Sequence, residues 1–372
     1  MKTKTWTLTR RAALSLAAGA MALSAAATMP GGAAVAQDDP LKVGFVYVGP
    51  VGDHGWTYQH DKGRQAVVEK FGDAVKTTYV ESVPEGADAE RVINQLAQSG
   101  HDLIFTTSFG FMNPTVKVAK RYPDVMFEHA TGYKRADNVS TYAGRFYEGR
   151  YPIGVMAGRL TESDTIGYIA PFPIPEVVRG INAFTKGLHS VNPDASVKII
   201  YVNSWYDPGK EREAAETLVA QGADILVQHT DSAAPMQLAE EKGLIAFGQA
   251  SDMSQFGPNA QATAIVDDWS DYYIDRVQAV MDGTWESQDT WGGLNSGMVQ
   301  LSDFGPKVPE DVAKEATQIV KDIESGDLVI FEGPIKDNAG EVRIAEGEAA
   351  SEEDLLSMDW YIEGIDAQLP KN

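Results

Sequence analysis

After Pro40 the chain alternates short apolar runs with segments of helical periodicity. Val43-Gly44-Phe45-Val46-Tyr47-Val48 is continuously apolar and is closed by Gly49-Pro50, as a strand buried on both faces reads. Gly63 to Phe71 follows with helical spacing and stops at Gly72. Thr77 to Val83 reads as a second strand. Ala87 to Ser99 reads as a helix with Val92, Ile93, Leu96 and Ala97 on one side. Leu103-Ile104-Phe105 is a third strand, Thr115 to Tyr122 a helix that stops at Pro123, and Val125-Met126-Phe127 a fourth strand. This alternation predicts a parallel sheet covered on both faces.

The pattern then restarts. Helices are predicted at Tyr147 to Leu160, Pro175 to Val191, Lys210 to Gln221 and Ser232 to Lys242. Between them lie strands at Thr165 to Ile169, Val197 to Val202, Ile225 to Val227 and Leu244 to Phe247. No period of about 20–50 residues is visible in the sequence, which argues against a solenoid. The expected fold class is α/β, with two Rossmann-like lobes, parallel sheets and a ligand cleft between the lobes. Ligands of such sheets bind beyond the carboxyl ends of the strands. That singles out residues 51–58, 106–113, 171–175, 203–207, 229–232 and 248–252.

These loops are rich in aromatic and short polar side chains. Trp56 and Tyr58 follow the first strand, Phe109 and Phe111 the third, Phe172 the first strand of the second lobe, and Trp205 and Tyr206 the next. A flat ligand gains from stacking on such rings. Asp53, Asn113, Asp231 and Asp252 offer hydrogen bonds that would fix its orientation. Trp56 and Trp205 stand out, because each lies in a Gly/Asp/Ser-rich stretch beyond a strand end.

The N-terminus changes the picture of where the protein works. Lys2, Lys4, Arg10 and Arg11 precede an alanine- and leucine-rich run from Ala12 to Ala27, and Ala34-Val35-Ala36 is an A-x-A cleavage site. Residues 1–36 therefore read as an export signal peptide, by a general secretory or a twin-arginine route, given Thr9-Arg10-Arg11. The run is short of the ~18–20 apolar residues that a membrane span needs. A soluble periplasmic protein is expected. The chain has no cysteine, which excludes disulfides, thiol catalysis and a lipidated cysteine anchor. Net charge is −22, and without the four basic residues of the leader 27 basic residues face 53 acidic ones, or −26. That sign disfavours binding to nucleic acid or anionic lipid.

Enzyme signatures are absent from the sequence. There is no G-x-x-x-x-G-K-[ST], no H-E-x-x-H and no G-x-S-x-G. His54 and His60 are six apart, not at the i, i+4 spacing of a helical zinc pair. No metal site, cofactor or catalytic residue is expected.

Several stretches together resemble the basic membrane protein family of ABC transporter solute-binding proteins, over nearly all of Leu41 to Pro370. They are Gly52-Asp53-His54-Gly55-Trp56 with Gly63, Ala119-Lys120-Arg121-Tyr122-Pro123-Asp124-Val125 with Phe127, and Glu148-Gly149 through Tyr151, Gly154 and Ala157. Further on come Pro173-Ile174-Pro175-Glu176-Val177, Asn203-Ser204-Trp205-Tyr206-Asp207-Pro208 with Lys210, and Gly222-Ala223-Asp224 with Gln228. The tail adds Pro334-Ile335-Lys336-Asp337 and Met358 through Ile365.

The resemblance implies a type I periplasmic binding protein that hands a purine-type ligand to a membrane permease. It implies lobe one at 40–146 plus 267–291 and lobe two at 147–266 plus 292–372. It places Trp56 and Trp205 on opposite faces of the base, with Asn113 and Asp252 near its polar edges. Two departures matter. Nucleoside-binding relatives tend to carry two acids as G-x-D-x-D, where this chain reads Gly248-Gln249-Ala250-Ser251-Asp252. They also tend to carry a lysine where this chain reads Val266-Asp267-Asp268. Both positions are expected near the ribose, so a free base is favoured over a nucleoside. A sugar on the same fold and an exported hydrolase stand as alternatives. A monomer is expected.

Overall fold

The computed structural model describes residues 39–370. The export segment expected at 1–36 lies outside the described residues, as do the last two residues of the second-lobe range. Two six-stranded sheets form the body of the fold. The first sheet contains β1 (Leu41–Val46), β2 (Val75–Val80), β3 (Leu103–Thr106), β4 (Met126–Ala130) and β5 (Val139–Gly144). Between these strands run α1 (Trp56–Phe71), α2 (Ala87–Gln98) and α3 (Met112–Ala119). α4 (Phe146–Leu160) then leads into β6 (Thr165–Ala170), α5 (Pro175–Val191), β7 (Ser196–Tyr201), α6 (Pro208–Ala220), β8 (Ile225–Gln228), α7 (Ala234–Lys242), β9 (Ile245–Gly248) and β10 (Gln261–Asp267). The chain continues through α8 (Ser270–Asp282), β11 (Asp289–Gly292), β12 (Val299–Leu301) and α9 (Glu310–Ser325). A small hairpin, β13 (Ile335–Lys336) with β14 (Val342–Ile344), and α10 (Glu352–Leu356) complete it.

The strand orders are β11-β5-β4-β3-β1-β2 and β12-β10-β9-β8-β6-β7. Every pairing within them is parallel except β10 with β12. This is the two-lobe α/β fold expected from the alternating pattern. The chain passes between sheets after β5, after β10 and after β11. The sequence reading placed no element at β5 or after β9. For the elements it placed, edges differ by a few residues, except that α1 begins at Trp56, not near Gly63. Its inward face carries Thr57, His60 and Asp61, so the polar buried groups hid the helical period. α5 occupies the range expected, with Pro175 in its first turn, where proline is preorganised for the helix.

Each lobe buries its own apolar layers. In the first, Phe45 and Phe105 stack at 4.8 Å and 8°, and Tyr273 of α8 packs on both. In the second, α4 crosses α5 so closely that a Cβ on Gly154 would lie 2.1 Å from the carbonyl oxygen of Phe184. One ion pair is fully enclosed. Glu128 of β4 accepts from Arg276 Nε at 2.5 Å, Tyr272 Oη at 2.6 Å and Trp285 Nε1 at 2.7 Å. These three donors offset the burial that pushes the Glu128 carboxyl up. They also clamp α8 to the first sheet, although the strand before α8 belongs to the second. Arg276→Met leaves that carboxylate buried with its cation gone. The expected loss is about 3–5 kcal/mol, checked by urea unfolding against the wild type.

Candidate functional site

The carboxyl edges of the two sheets face each other across a cavity. Trp56, Ser108, Phe109, Thr131 and Phe146 line it from the first-lobe side. Glu176, Trp205, His229, Asp231 and Gln249 line it from the second. Four loops here hold non-glycine residues at positive φ: His54 (58°), Thr131 (60°), Asn203 (53°) and Ala250 (59°). Such backbone costs of order 1–3 kcal/mol per residue and collects where a loop must aim a side chain.

Trp56 is held from behind. Its Nε1 donates to the carbonyl oxygen of Thr107 at 2.6 Å. Its ring meets Trp269 edge-on at 5.6 Å, Phe146 at 5.9 Å and His60 at 4.4 Å. His60 in turn stacks on Trp269 at 4.8 Å and 6°, with Nδ1 2.5 Å from Tyr273 Oη. The indole is thus the end of an aromatic layer that runs back into the first-lobe core.

Trp205 sits on the loop before α6. Asp207 caps that helix by accepting from the backbone N–H of Lys210 at 3.1 Å. The buried Glu211 takes the N–H of Asp207 at 2.9 Å and both the N–H (3.1 Å) and hydroxyl (2.7 Å) of Ser232. The Asp231 N–H donates to the Trp205 carbonyl at 3.0 Å. One buried carboxylate therefore joins the Trp205 loop to the Asp231 loop. Phe172 packs on the Trp205 ring at 5.3 Å.

Contacts between lobes close the site. Trp205 Nε1 donates to Glu85 Oε1 at 3.2 Å, and the same oxygen accepts from Ser108 Oγ at 2.5 Å and the Gly110 N–H at 3.0 Å. Ser251 Oγ donates to the His54 carbonyl, and Gln255 Nε2 lies 3.1 Å from His54 Nδ1. At Gly55 an added Cβ would stand 2.3 Å from the Asp231 carbonyl oxygen. Only glycine permits that approach.

The electrostatics are one-sided. Glu176 and Asp231 line the cavity, and no lysine or arginine does among the described residues. His229 is buried and its pKa falls to about 4, first through burial and then through Arg150. It is therefore neutral, with Nε2 3.7 Å from Glu176 Oε1. Such a wall accepts hydrogen bonds and rejects anions. Among the described residues no group of three His, Cys, Asp or Glu could hold a metal ion.

Of the residues singled out in the sequence, the structure brings Trp56, Trp205 and Asp231 to the cavity, with Phe172 behind Trp205. Asp53 lies in the short turn Val51–Asp53, and its side chain is outside what is described. Three expectations need correcting. Phe111 is fully buried in the apolar layer with Val46, Ile93 and Val118, and Phe109 takes the place at the cavity. Asn113 is exposed on α3 and accepts from Lys134 Nζ at 2.8 Å. Asp252 is exposed and spends Oδ1 on the Ser254 N–H (2.9 Å) and Gln261 Nε2 (2.7 Å). Glu176 and Phe146 lie outside the ranges singled out, and His229 and Gln249 lie inside them without having been named as contacts. Position after a strand pointed to His229 and Gln249. Nothing local pointed to Phe146, which closes the cavity from the first turn of α4.

The ABC transporter substrate-binding protein PnrA-like family matches residues 41–339. The chain belongs to this family. Over 343 residues it is 56% identical to a purine-binding protein of Brucella abortus, spanning 92% of this chain and 97% of that one. It is 38% identical over 340 residues to a Haloferax volcanii protein named as the glucose-binding protein of an ABC transporter, spanning 91% and 84%. Among solved structures, a solute-binding protein of an ABC transporter from Aeropyrum pernix superimposes with a TM-score of 0.67 at 20% identity, covering 80% of this chain and 93% of that one. One from Conexibacter woesei gives 0.62 at 23%, covering 77% and 97%. At those identities the structures show a shared fold alone. As a PnrA-like family member the chain is a substrate-binding protein and not an enzyme, with a small-molecule ligand and a membrane permease as partners.

Two outcomes are expected. Glu85→Ala frees the Trp205 edge, so ligand should leave about fivefold faster with little change in association, read by stopped-flow tryptophan fluorescence. For His229, the unfolded chain takes up a proton below its ordinary value of 6.5 that the folded chain refuses until about 4. Its contribution is whole above pH 6.5 and is lost as pH falls toward 4, at up to ~1.4 kcal/mol per pH unit. His229→Gln should show a stability profile shallower by about that slope across this window. Parallel profiles would count against a neutral buried imidazole.

Proposed function

We propose that this protein is the exported, periplasmic receptor of an importer for purines, and that it grips the base between Trp56 and Trp205. The observation that carries the reading is the cavity itself, with one indole from each lobe and acceptor carboxylates around it. Purines are flat and carry N–H donors, so stacking and acceptance act on the same molecule. Phosphorylated ligands are disfavoured by Glu176 and Asp231. The relative named for purine binding, at 56% identity over nearly the full length, supports the same class.

The free base is preferred over the nucleoside. The acid that nucleoside-binding relatives tend to carry is Ala250 here, a buried residue whose carbonyl accepts from the Asp267 N–H at 2.8 Å. The leader at residues 1–36 supports export, and a single binding cleft completed by one chain supports a monomer. A sugar is the second reading. The relative named for glucose favours it, and aromatic rings flanked by carboxylates also suit a pyranose.

Calorimetric titration of ligand-stripped protein with adenine, hypoxanthine, guanine, adenosine, inosine and glucose decides among these. Tight one-to-one binding of a base is expected, with its nucleoside weaker. Trp56→Ala and Trp205→Ala should each weaken it by ~1–3 kcal/mol. Unchanged affinity in both variants would remove the sandwich, and glucose binding without purine binding would replace the ligand class.

A further inference from the structure

The most exacting group near the cavity is Asp267, the last residue of β10. It lies at the carboxyl edge of the second sheet and, without lining the cavity itself, is set among residues that adjoin the cavity wall. Its N–H donates to the carbonyl of Ala250, next to the wall residue Gln249. Its carbonyl accepts from Gln59 Nε2 of α1 at 2.8 Å, one turn beyond Trp56. Two residues further, Trp269 packs on the Trp56 ring.

The side chain is 1% exposed, and neither Oδ1 nor Oδ2 has a hydrogen-bond partner. Native proteins pair the great majority of buried polar atoms, and a carboxyl is among the costliest to leave unpaired. The one cation that acts on it is Arg150. That guanidinium spends Nη1 on the Gln228 carbonyl at 3.0 Å and Nη2 on Gln249 Oε1, and its Nε is buried without a partner. The other charge acting on Asp267 is the carboxylate of Glu176 in the cavity wall. Burial first, and Glu176 second, push the Asp267 carboxyl well above the usual carboxylate range. That environment favours the protonated carboxyl, which donates through one oxygen and accepts through the other. Gln59 Oε1, His60 Nε2 and Trp269 Nε1 are also buried without partners.

We propose that Asp267 takes the imidazole N–H of a free purine, at the N9–H and N3 edge, and thereby excludes purines substituted at N9. This rests on the purine reading above and deepens it. The N9–H and N3 edge offers an adjacent donor and acceptor, the complement of a neutral carboxyl. It is common to adenine, hypoxanthine and guanine, so one residue serves all three bases. In a nucleoside N9 carries the sugar. The donor is then gone, and the sugar would meet Asp267, Gln59 and Trp269.

The test compares adenine with 9-methyladenine on the wild-type protein by calorimetry, then repeats it on Asp267→Ala and Asp267→Asn. The methyl group removes one N–H without adding a sugar. The wild type should bind 9-methyladenine at least roughly 100-fold more weakly than adenine. Asp267→Ala should lose roughly 10- to 100-fold on adenine and most of the discrimination. Asp267→Asn, which keeps a donor beside an acceptor, should stay within about tenfold of the wild type on adenine. Equal binding of adenine and 9-methyladenine by the wild type would overturn the assignment while leaving the purine reading intact. So would full adenine affinity in Asp267→Ala, or a loss in Asp267→Asn as large as in Asp267→Ala. A wild-type protein that binds no purine at all would overturn both.

Discussion

Bringing the carboxyl edges of two parallel sheets together takes water away from polar groups that strands and loop ends necessarily present there. Loop carbonyls, first-turn N–H groups and short polar side chains must all find partners once the lobes meet. Much of the architecture around the cavity answers that demand. Glu211 gathers three donors from two loops. Glu85 gathers Ser108, Gly110 and the Trp205 indole. Gly55 lets the Asp231 carbonyl approach the first-lobe loop without a side chain between them.

The two indoles are held in different ways, and that difference bears on mechanism. Trp56 ends a packed aromatic layer and is anchored within its own lobe. Trp205 rests on Phe172 at one side and reaches across to Glu85 on the other lobe. Closure thus completes the setting of Trp205 but not that of Trp56. A ligand arriving on Trp56 would find a preformed face, and the second face would arrive with the second lobe. A ligand shifts the balance between open and closed forms only by binding the closed one better.

The polar side chains at the cavity are acceptors or neutral groups. Neutral His229, the carboxylates of Glu176 and Asp231, and the Gln249 amide suit a ligand rich in N–H or O–H donors. Among the described residues Arg150 and Arg179 are buried behind this wall, with Nη groups on Gln228, Gln249 and Leu355 and each Nε without a partner. They stiffen the floor rather than draw an anion into it.

The sequence by itself determined the alternation of strand and helix, the two-lobe fold, the family and the strand ends where a ligand would sit. Continuous apolar runs can be buried only as inner strands, and that rule is local. It also marked Trp56, Trp205 and Asp231, because position after a strand is legible in one dimension. It misplaced Phe111, Asn113 and Asp252, since residues one or two positions apart on a turn face opposite ways. It placed the start of α1 too late, because buried Thr57, His60 and Asp61 break the apolar period that marks a helix. Only the tertiary structure decided which polar groups lose water. Glu176 and His229 come from different elements, and Asp267 reads in the chain as one more acid on a surface rich in them. Burial is a property of the packed lobes, so the residue with the most exacting hydrogen-bonding need was invisible until the two sheet edges met.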